Sequence, residues 1–396
     1  MGAWSSRREF IRDGGKSLLC ASAFPLSLRA RIEDAGGKLK TGAPAKELID
    51  DLSGFIPGLM KKENVPGLSI SIIRDARILW SQGFGIKGKS SGEPVSASTV
   101  FEAASLSKPA FAYGVLKMCE SGRLGLDTPL TEYRRTPLIA NEPRLRQVTA
   151  RMVLSHSSGL PHGRAPGTPI SLRFEPGERF AYSATGFQYL QTVVELLSGQ
   201  PLSEFMKASV LDPLGMRESS FGSIDRYSRE AAEGHDRDGN PGLSGNGRYL
   251  NYSPEERAQQ QKNFPEYSYP SSSAGLYTTA ADYARFVSEI IEPSAKDRYH
   301  LSDEMTAEML RPHVRVSDAI SWGLGWGIER SDAGDAFWHW GDWGVFRNFA
   351  IAFKKQKIGV VVLTNSFNGP KAYREIVPRA IGGNHPAFSW VNGYRP

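Results

Sequence analysis

The stretch Phe101-Glu102-Ala103-Ala104-Ser105-Leu106-Ser107-Lys108-Pro109 runs straight into Ala110-Phe111-Ala112-Tyr113-Gly114-Val115-Leu116-Lys117-Met118-Cys119-Glu120. From Pro109 to Glu120 the residues are apolar nearly all round a helical wheel. That pattern predicts a helix buried on every side, stopped by Ser121-Gly122. Pro109 is tolerated in a first turn, where backbone donors are largely unpaired. Ser105 and Lys108 form the only Ser-x-x-Lys in the chain. Three residues apart at the opening of this helix, they share a face, so the lysine amine reaches the serine hydroxyl. A lysine drawn into a low-dielectric interior loses proton affinity and helps remove the serine proton. The helix N-terminus also favours negative charge developing nearby.

Working outward, apolar residues at helical spacing (Leu48, Leu52, Phe55, Ile56, Leu59) predict a helix from Pro44 to Met60. Two strands follow, Leu68 to Arg74 and Ile78 to Gln82, joined by a tight turn at Asp75-Ala76. A further helix runs from about Gly186 to Leu197, with Gly199 as its stop. The segment from Gly234 to Ser273 is rich in Gly, Asn, Asp, Pro and Ser, with scattered tyrosines, and reads as a long loop region. Beyond it the chain returns to strands: Trp322 to Glu329, Phe337 to Gly341, Phe346 to Phe353 and Ile358 to Thr364. A last helix covers Lys371 to Ile381. Early and late strands flanking a helical middle predict an α/β (α+β) fold. One antiparallel sheet is built from both chain ends with flanking helices, and a mostly helical region is inserted between them. The expected division is a leader and linker at 1–40 and a single catalytic unit at 41–396. Within that unit the α/β part is 44–108 and 285–396, and the helical and loop part is 109–284.

Of the 396 residues, 40% are hydrophobic and 23% charged, which excludes wholesale disorder, collagen, a coiled coil and a disulfide scaffold. The formal charge is +6, of which +2 sits in the first 23 residues, and no long Lys/Arg stripe supports a nucleic-acid partner. Past the N-terminus no apolar run approaches ~18 residues, so no membrane span is expected. The seven histidines show no metal-ligand spacing and there is no His-Glu-x-x-His, so neither metal nor cofactor is expected. Ser6-Arg7-Arg8-Glu9-Phe10, a mildly apolar segment and Ala21-Ser22-Ala23 resemble a twin-arginine export signal with a small-residue cleavage site. The expectation is an exported protein, periplasmic or extracellular. With Cys20 in that leader, Cys119 reads as a small core residue.

The segment Phe101 to Lys108 resembles the nucleophile region of the serine β-lactamase and penicillin-binding-protein superfamily. More narrowly, it is similar to the branch of class C β-lactamases, D-amino-acid peptidases and family VIII-type esterases. Other blocks agree: Pro66-Gly67-Leu68-Ser69 with Gly83-Phe84-Gly85, Leu154-Ser155-His156-Ser157-Ser158-Gly159-Leu160, Asp212-Pro213-Leu214-Gly215-Met216, and Ala274-Gly275-Leu276-Tyr277-Thr278-Thr279-Ala280. The resemblance covers about residues 45 to 380 and implies a β-lactamase/transpeptidase-like fold. It also implies Ser105 as nucleophile, with Lys108 beside it and Tyr182 as general base and acid. At the family's Tyr-x-Asn this chain reads Tyr182-Ser183-Ala184, so the amide is missing. At the family's Lys-Thr-Gly or His-x-Gly it reads His339-Trp340-Gly341. The resemblance then implies an oxyanion hole from the backbone N–H groups of Ser105 and Asp342. Gly341 lets substrate lie against the strand, and His339 polarises Tyr182 or binds a substrate carboxylate when protonated. Trp338, Trp340 and Trp343 either line an acyl pocket, Trp340 being the substrate-binding candidate, or fill the sheet's packed face. His156 reads as a structural turn residue.

The expected chemistry is serine hydrolysis through an acyl-enzyme. The partner is a small-molecule ester, peptide or β-lactam. Esters come first, because an alcohol leaving group needs less help and tolerates loss of the amide. A D-amino-acid peptidase or amidase comes second and a β-lactamase third. A penicillin-binding-like receptor without turnover comes last, since Ser105, Lys108 and Tyr182 are all retained.

Overall fold

The computed structural model describes residues 39–134, 142–165, 168–264, 267–293, 297 and 299–394. The leader motif at Arg7-Arg8, its cleavage site and Cys20 lie outside the described residues.

Helix α1 (Ala45–Glu63) buries Leu48, Leu52, Ile56, Leu59 and Met60 on one face, and left-handed Asn64 ends it. Strands β1 (Gly67–Arg74) and β2 (Arg77–Gly85) follow. Both central residues of their hairpin, Asp75 and Ala76, have positive φ (52° and 57°), the twist that a two-residue hairpin turn requires. The late strands are β3 (Val314–Arg315), β4 (Ile320–Trp322), β5 (Gly327–Ser331), β6 (Gly334–Asp342), β7 (Arg347–Phe353) and β8 (Ile358–Thr364). All eight form one antiparallel sheet in the order β2-β1-β8-β7-β6-β5-β4-β3. The seam between the chain's two ends is β1 against β8, with Leu68 opposite Thr364. The expected sheet from both ends is thus present. One strand expected over Trp322 to Glu329 is instead two, because the chain turns at Gly323-Leu324-Gly325-Trp326, where Gly325 has φ +88°.

The two faces of the sheet carry separate cores, because alternate strand residues point opposite ways. One face, with Ile70, Ile72, Phe349, Ile351, Val360 and Val362, packs on α1, α7 (Gly369–Ile381) and α8 (Pro386–Gly393). The other joins the helical insertion. There α2 (Ser107–Glu120) is buried on nearly every side, as its sequence predicts, and α6 (Ala280–Ile291) lies against β1, β2 and β8. Helix α3 (Ala184–Ser198) belongs to the same core and ends at left-handed Gly199.

The segment read as a long loop carries two short helices, α4 (Gly245–Leu250) and α5 (Pro254–Asn263). Ser253 and Glu256 form a reciprocal capping box at the start of α5. That Ser-x-x-Glu signal is legible in the sequence, but the polar composition outweighed it.

Candidate active site

Ser105 stands on a 3-10 turn, Ala104–Leu106, just ahead of α2. The helix itself starts at Ser107, so Ser105 precedes it rather than opening it. Ala104 has φ +52°, a left-handed conformation that costs an alanine about 1–2 kcal/mol. The surroundings hold that strain in place. Ala103 N–H donates to Leu276 O (2.9 Å), and Ser107 Oγ donates to Ala104 O (2.6 Å) while accepting from Leu276 N–H (2.9 Å). Asn348 of β7 donates to Glu102 O at 2.9 Å, and Tyr283 Oη donates to Leu106 O at 2.9 Å. The sharp turn leaves Ser105 partly exposed while its neighbours are sealed.

Lys108 is only 1% exposed. Its Nζ lies 3.1 Å from Ser105 Oγ and donates to Ser273 O at 2.9 Å. Burial holds the ammonium well below the usual lysine range. Tyr182 closes the cluster, its ring centroid 4.7 Å from Lys108 Nζ. Burial raises the tyrosine hydroxyl far above its usual value, and Ser105 acts against that shift. Tyr182 Oη is buried and makes no hydrogen bond of normal geometry.

Tyr182 is held by residues from three directions. His156, whose φ is +57°, stacks its ring 4.2 Å from the tyrosine's. His156 Nδ1 accepts from Ser183 N–H at 3.0 Å, and its carbonyl accepts from Ala181 N–H at 2.8 Å. The turn-residue reading of His156 therefore has a concrete content: it fixes the loop on both sides of Tyr182. Ser183 Oγ caps α3 through Gly186 N–H (2.9 Å) and donates to Pro161 O (2.8 Å). Tyr394, after α8, accepts from Tyr182 N–H at 3.0 Å.

The end of β6 supplies the fourth wall. A Cβ on Gly341 would sit 2.1 Å from Ala103 O, so only glycine lets the strand meet the turn that carries Ser105. Trp343 N–H donates to Phe346 O, so the alternation of an antiparallel pair turns the Asp342 amide away from β7. On that side β5 covers β6 only as far as Trp338, opposite Gly327. The Asp342 N–H is left on an open strand edge beside Ser105's turn. Trp340 is partly exposed and stacks 4.9 Å from the Tyr182 ring, whereas Trp338 is fully buried in the sheet's core. Trp343 is pinned by Nε1 donating to Ala274 O at 3.2 Å.

His339 is fully buried, its ring 6.1 Å from Tyr182's. Its Nδ1 donates to Trp340 O at 2.6 Å, which leaves the Nε2 lone pair without a partner. Burial, then the nearby Lys108, pushes it down to about 3. This environment favours the neutral ring.

Some contributors were not read from the sequence. The carbonyl of Ser273 and the hydroxyl of Tyr394 carry no motif. His162, ring 5.4 Å from Tyr182's and pushed down to about 4 by burial, had none either. Conversely, Gly83 to Ser90 has the Gly-x4-Gly-Lys-Ser spacing of a phosphate loop, and Gly88 to Gly92 reads Gly-x-Ser-x-Gly. Both patterns are incidental. They lie at the end of β2 and in a turn closed by Gly92 N–H to Gly88 O, with Ser90 bonded to Glu233 and no helix following. Among the described residues no cluster of metal-ligating side chains occurs, and no helix is long and apolar enough to cross a membrane.

Glu102, three residues before Ser105, is buried with Oε1 accepting from Ser244 Oγ at 2.6 Å and Oε2 unpartnered. Burial pushes its carboxyl up to about 7. A raised folded value means that the protonated form is favoured by folding. The associated stability is present below about pH 4.5 and is lost as pH rises through about 7. Glu102→Gln keeps the acceptor without the charge. It should therefore gain on wild type between pH 5 and 8, by up to about 3 kcal/mol. Urea denaturation of both proteins at the two pH values checks this, and a difference that does not change with pH contradicts it.

A family model described as Beta-lactamase matches residues 52–381. Esterase EstB of Burkholderia gladioli is 28% identical over 326 residues, covering 72% of this chain and 79% of that protein. Protein flp of Staphylococcus aureus is 22% identical over 352 residues, and the match spans 84% of this chain and 66% of the relative's length. Among solved structures, the octameric penicillin-binding protein homologue from Pyrococcus abyssi superposes with a TM-score of 0.68 at 25% identity, covering 83% of this chain and 76% of that one.

Proposed function

Because the chain belongs to the beta-lactamase family and is a serine hydrolase of that fold, we propose that it cleaves carboxylic esters through an acyl-enzyme on Ser105. The observation that carries this reading is the buried Lys108 amine 3.1 Å from Ser105 Oγ. Burial lowers Lys108, which favours its neutral amine, and raises Tyr182, which keeps its hydroxyl protonated, so the lysine is available to accept the serine proton and the tyrosine carries one to pass on. Lys108 takes the Ser105 proton as Oγ attacks the ester carbonyl. The tetrahedral oxyanion is held by the N–H groups of Ser105 and Asp342. Its collapse breaks the C–O bond. Tyr182 protonates the departing alkoxide and recovers a proton from the Lys108 ammonium. Water then repeats the sequence on the acyl-enzyme. The resemblance implies Tyr182 as general base, and the 3.1 Å contact of Lys108 Nζ with Ser105 Oγ supports Lys108 in that role instead.

Preference for esters over β-lactams rests on Ala184, the first residue of α3, where the family's asparagine would stand. Ser183, the adjacent polar residue, is committed to its cap and to Pro161. Likeness to EstB supports the same ranking. A D-alanyl peptidase is the second reading, favoured by His339-Trp340-Gly341 at the open end of β6. Wild type should hydrolyse p-nitrophenyl butyrate faster than cephalosporins. Ala184→Asn should raise the ratio of β-lactam to ester kcat/KM by about tenfold, equivalent to ~1.4 kcal/mol and the size of one new hydrogen bond. A wild type that already prefers cephalosporins, or turns over D-alanyl peptides ahead of both, overturns the ester assignment. An exported location, carried by Arg7-Arg8 and Ala21-Ser22-Ala23, belongs to the same reading. It requires a shortened N-terminus on protein recovered from outside the cytoplasm, and full-length protein found only in the cytoplasm rejects it.

A further inference from the structure

A cavity of ≈ 390 Å³ opens beside the end of β6, with Gly341 and Asp342 in its wall. Three guanidinium groups line it, Arg237, Arg347 and Arg374, against the single carboxylate of Asp342. That carboxylate is already used: Asp342 Oδ1 accepts from Arg347 Nε at 3.1 Å and from Gly344 N–H at 2.7 Å. Arg237 and Arg374 make no ion pair among the described residues, and Arg374 Nε is shut off from solvent with no hydrogen-bond partner. Arg347 and Arg237 both stack on Phe367, their Cζ atoms 3.8 and 4.8 Å from its ring centroid. Stacking orients a guanidinium fork without neutralising it.

Grouped cations repel, and in a recess partly closed to water the repulsion is stronger than on an open surface. With one arginine balanced by Asp342, an uncompensated charge of two remains. Planar forks on an aromatic floor match the geometry of phosphate and carboxylate oxygens. The volume falls within the range of small-molecule sites, so it admits such a group and part of what carries it. We propose that this cavity is a binding site for a compact dianion, a phosphate or phosphate monoester, next to the oxyanion strand. The site itself stands apart from the ester reading. Only its role as a substrate subsite rests on that reading.

Inorganic phosphate is the probe, titrated by calorimetry into the whole protein at fixed ionic strength, with chloride as control. Saturable binding should occur in wild type and persist in Ser105→Ala. It should weaken by about tenfold in Arg374→Gln and in Arg237→Gln, and Arg374→Lys should restore part of the loss. Two kinetic arms identify the source of the dianion. If it belongs to the substrate, an ester with a phosphate on its alcohol portion is preferred over its neutral counterpart, phosphate inhibits competitively, and Arg374→Gln abolishes the preference. If it is a free effector, phosphate changes turnover of the neutral ester and no such preference exists. Absence of saturable phosphate binding beyond chloride, or binding unaltered in both glutamine variants, overturns the site. Phosphate binding in a protein that hydrolyses no ester leaves the site intact and removes the ester reading instead.

Discussion

Replacing Lys108 with methionine should lower kcat/KM for a simple ester by about 10³-fold, within the span expected for loss of a positioned base. The same change should make the folded chain more resistant to urea. The two effects have one cause. Lys108 is 1% exposed and has no carboxylate partner within ion-pair distance among the described residues. Its amine hydrogen-bonds Ser105 Oγ and the Ser273 carbonyl and otherwise faces the rings of Tyr182 and Phe187. Burying such a group costs several kcal/mol after relaxation. Methionine, one heavy atom shorter, keeps most of the side chain's length and removes that cost. It leaves the Ser273 carbonyl unpaired at a cost of about 1–3 kcal/mol, so the net gain should be about 1–2 kcal/mol. Kinetics and urea melts on the same preparation test both halves. Retained activity rejects Lys108 as the base. Lost activity with a collapse of stability means that the lysine serves the fold instead.

Gly341→Ala should cost about 10²-fold in kcat with a smaller change in KM. The added Cβ would stand 2.1 Å from Ala103 O and 3.3 Å from the Ala104 Cβ. Both obstacles belong to the tightly tied turn before Ser105, and the first is backbone, so no side-chain rotation relieves it. The end of β6 must move away, and the Asp342 amide moves with it. An oxyanion donor displaced by an ångström is poorly placed for a charge that develops only in the transition state. Overpacking should also destabilise the fold by about 1–3 kcal/mol. Stopped-flow acylation measured beside a thermal melt separates the two effects. Unchanged acylation would show that the amide of Asp342 is not part of the oxyanion hole.

The parts of the fold legible in the sequence were those written locally. The apolar run of α2, the continuous Val-rich run of β8 and the Asp75-Ala76 turn each state their structure within a few residues. Ser105 and Lys108 are also a local pair, which is why their contact was readable before the fold was known. What failed depended on tertiary context. The apolar stretch around Trp322 to Glu329 is broken by a turn at Gly325, where a Cβ would meet Ala112 of α2 at 2.6 Å. Nothing near Gly325 announces that helix. Helix α5 is almost wholly solvated and held by its capping box and charges, so composition pointed to loop. The burial of His339 near Lys108, which lowers its proton affinity, is likewise invisible in His-Trp-Gly alone. Tyr394, 212 positions from Tyr182, reaches it only because α8 folds back under the sheet.

The central claim is that Ser105 is the covalent nucleophile, and active-site labelling tests it most directly. Ser155 and Ser183 are neighbouring serines, but their hydroxyls are buried and donate to the carbonyls of Arg151 and Pro161. A fluorophosphonate probe, followed by digestion and mass mapping, should place a single adduct on the peptide containing Ser105. Labelling and ester turnover should disappear together in Ser105→Ala. An adduct on Ser155, Ser183 or Ser273 with Ser105 unmodified, or undiminished hydrolysis by Ser105→Ala, would contradict it.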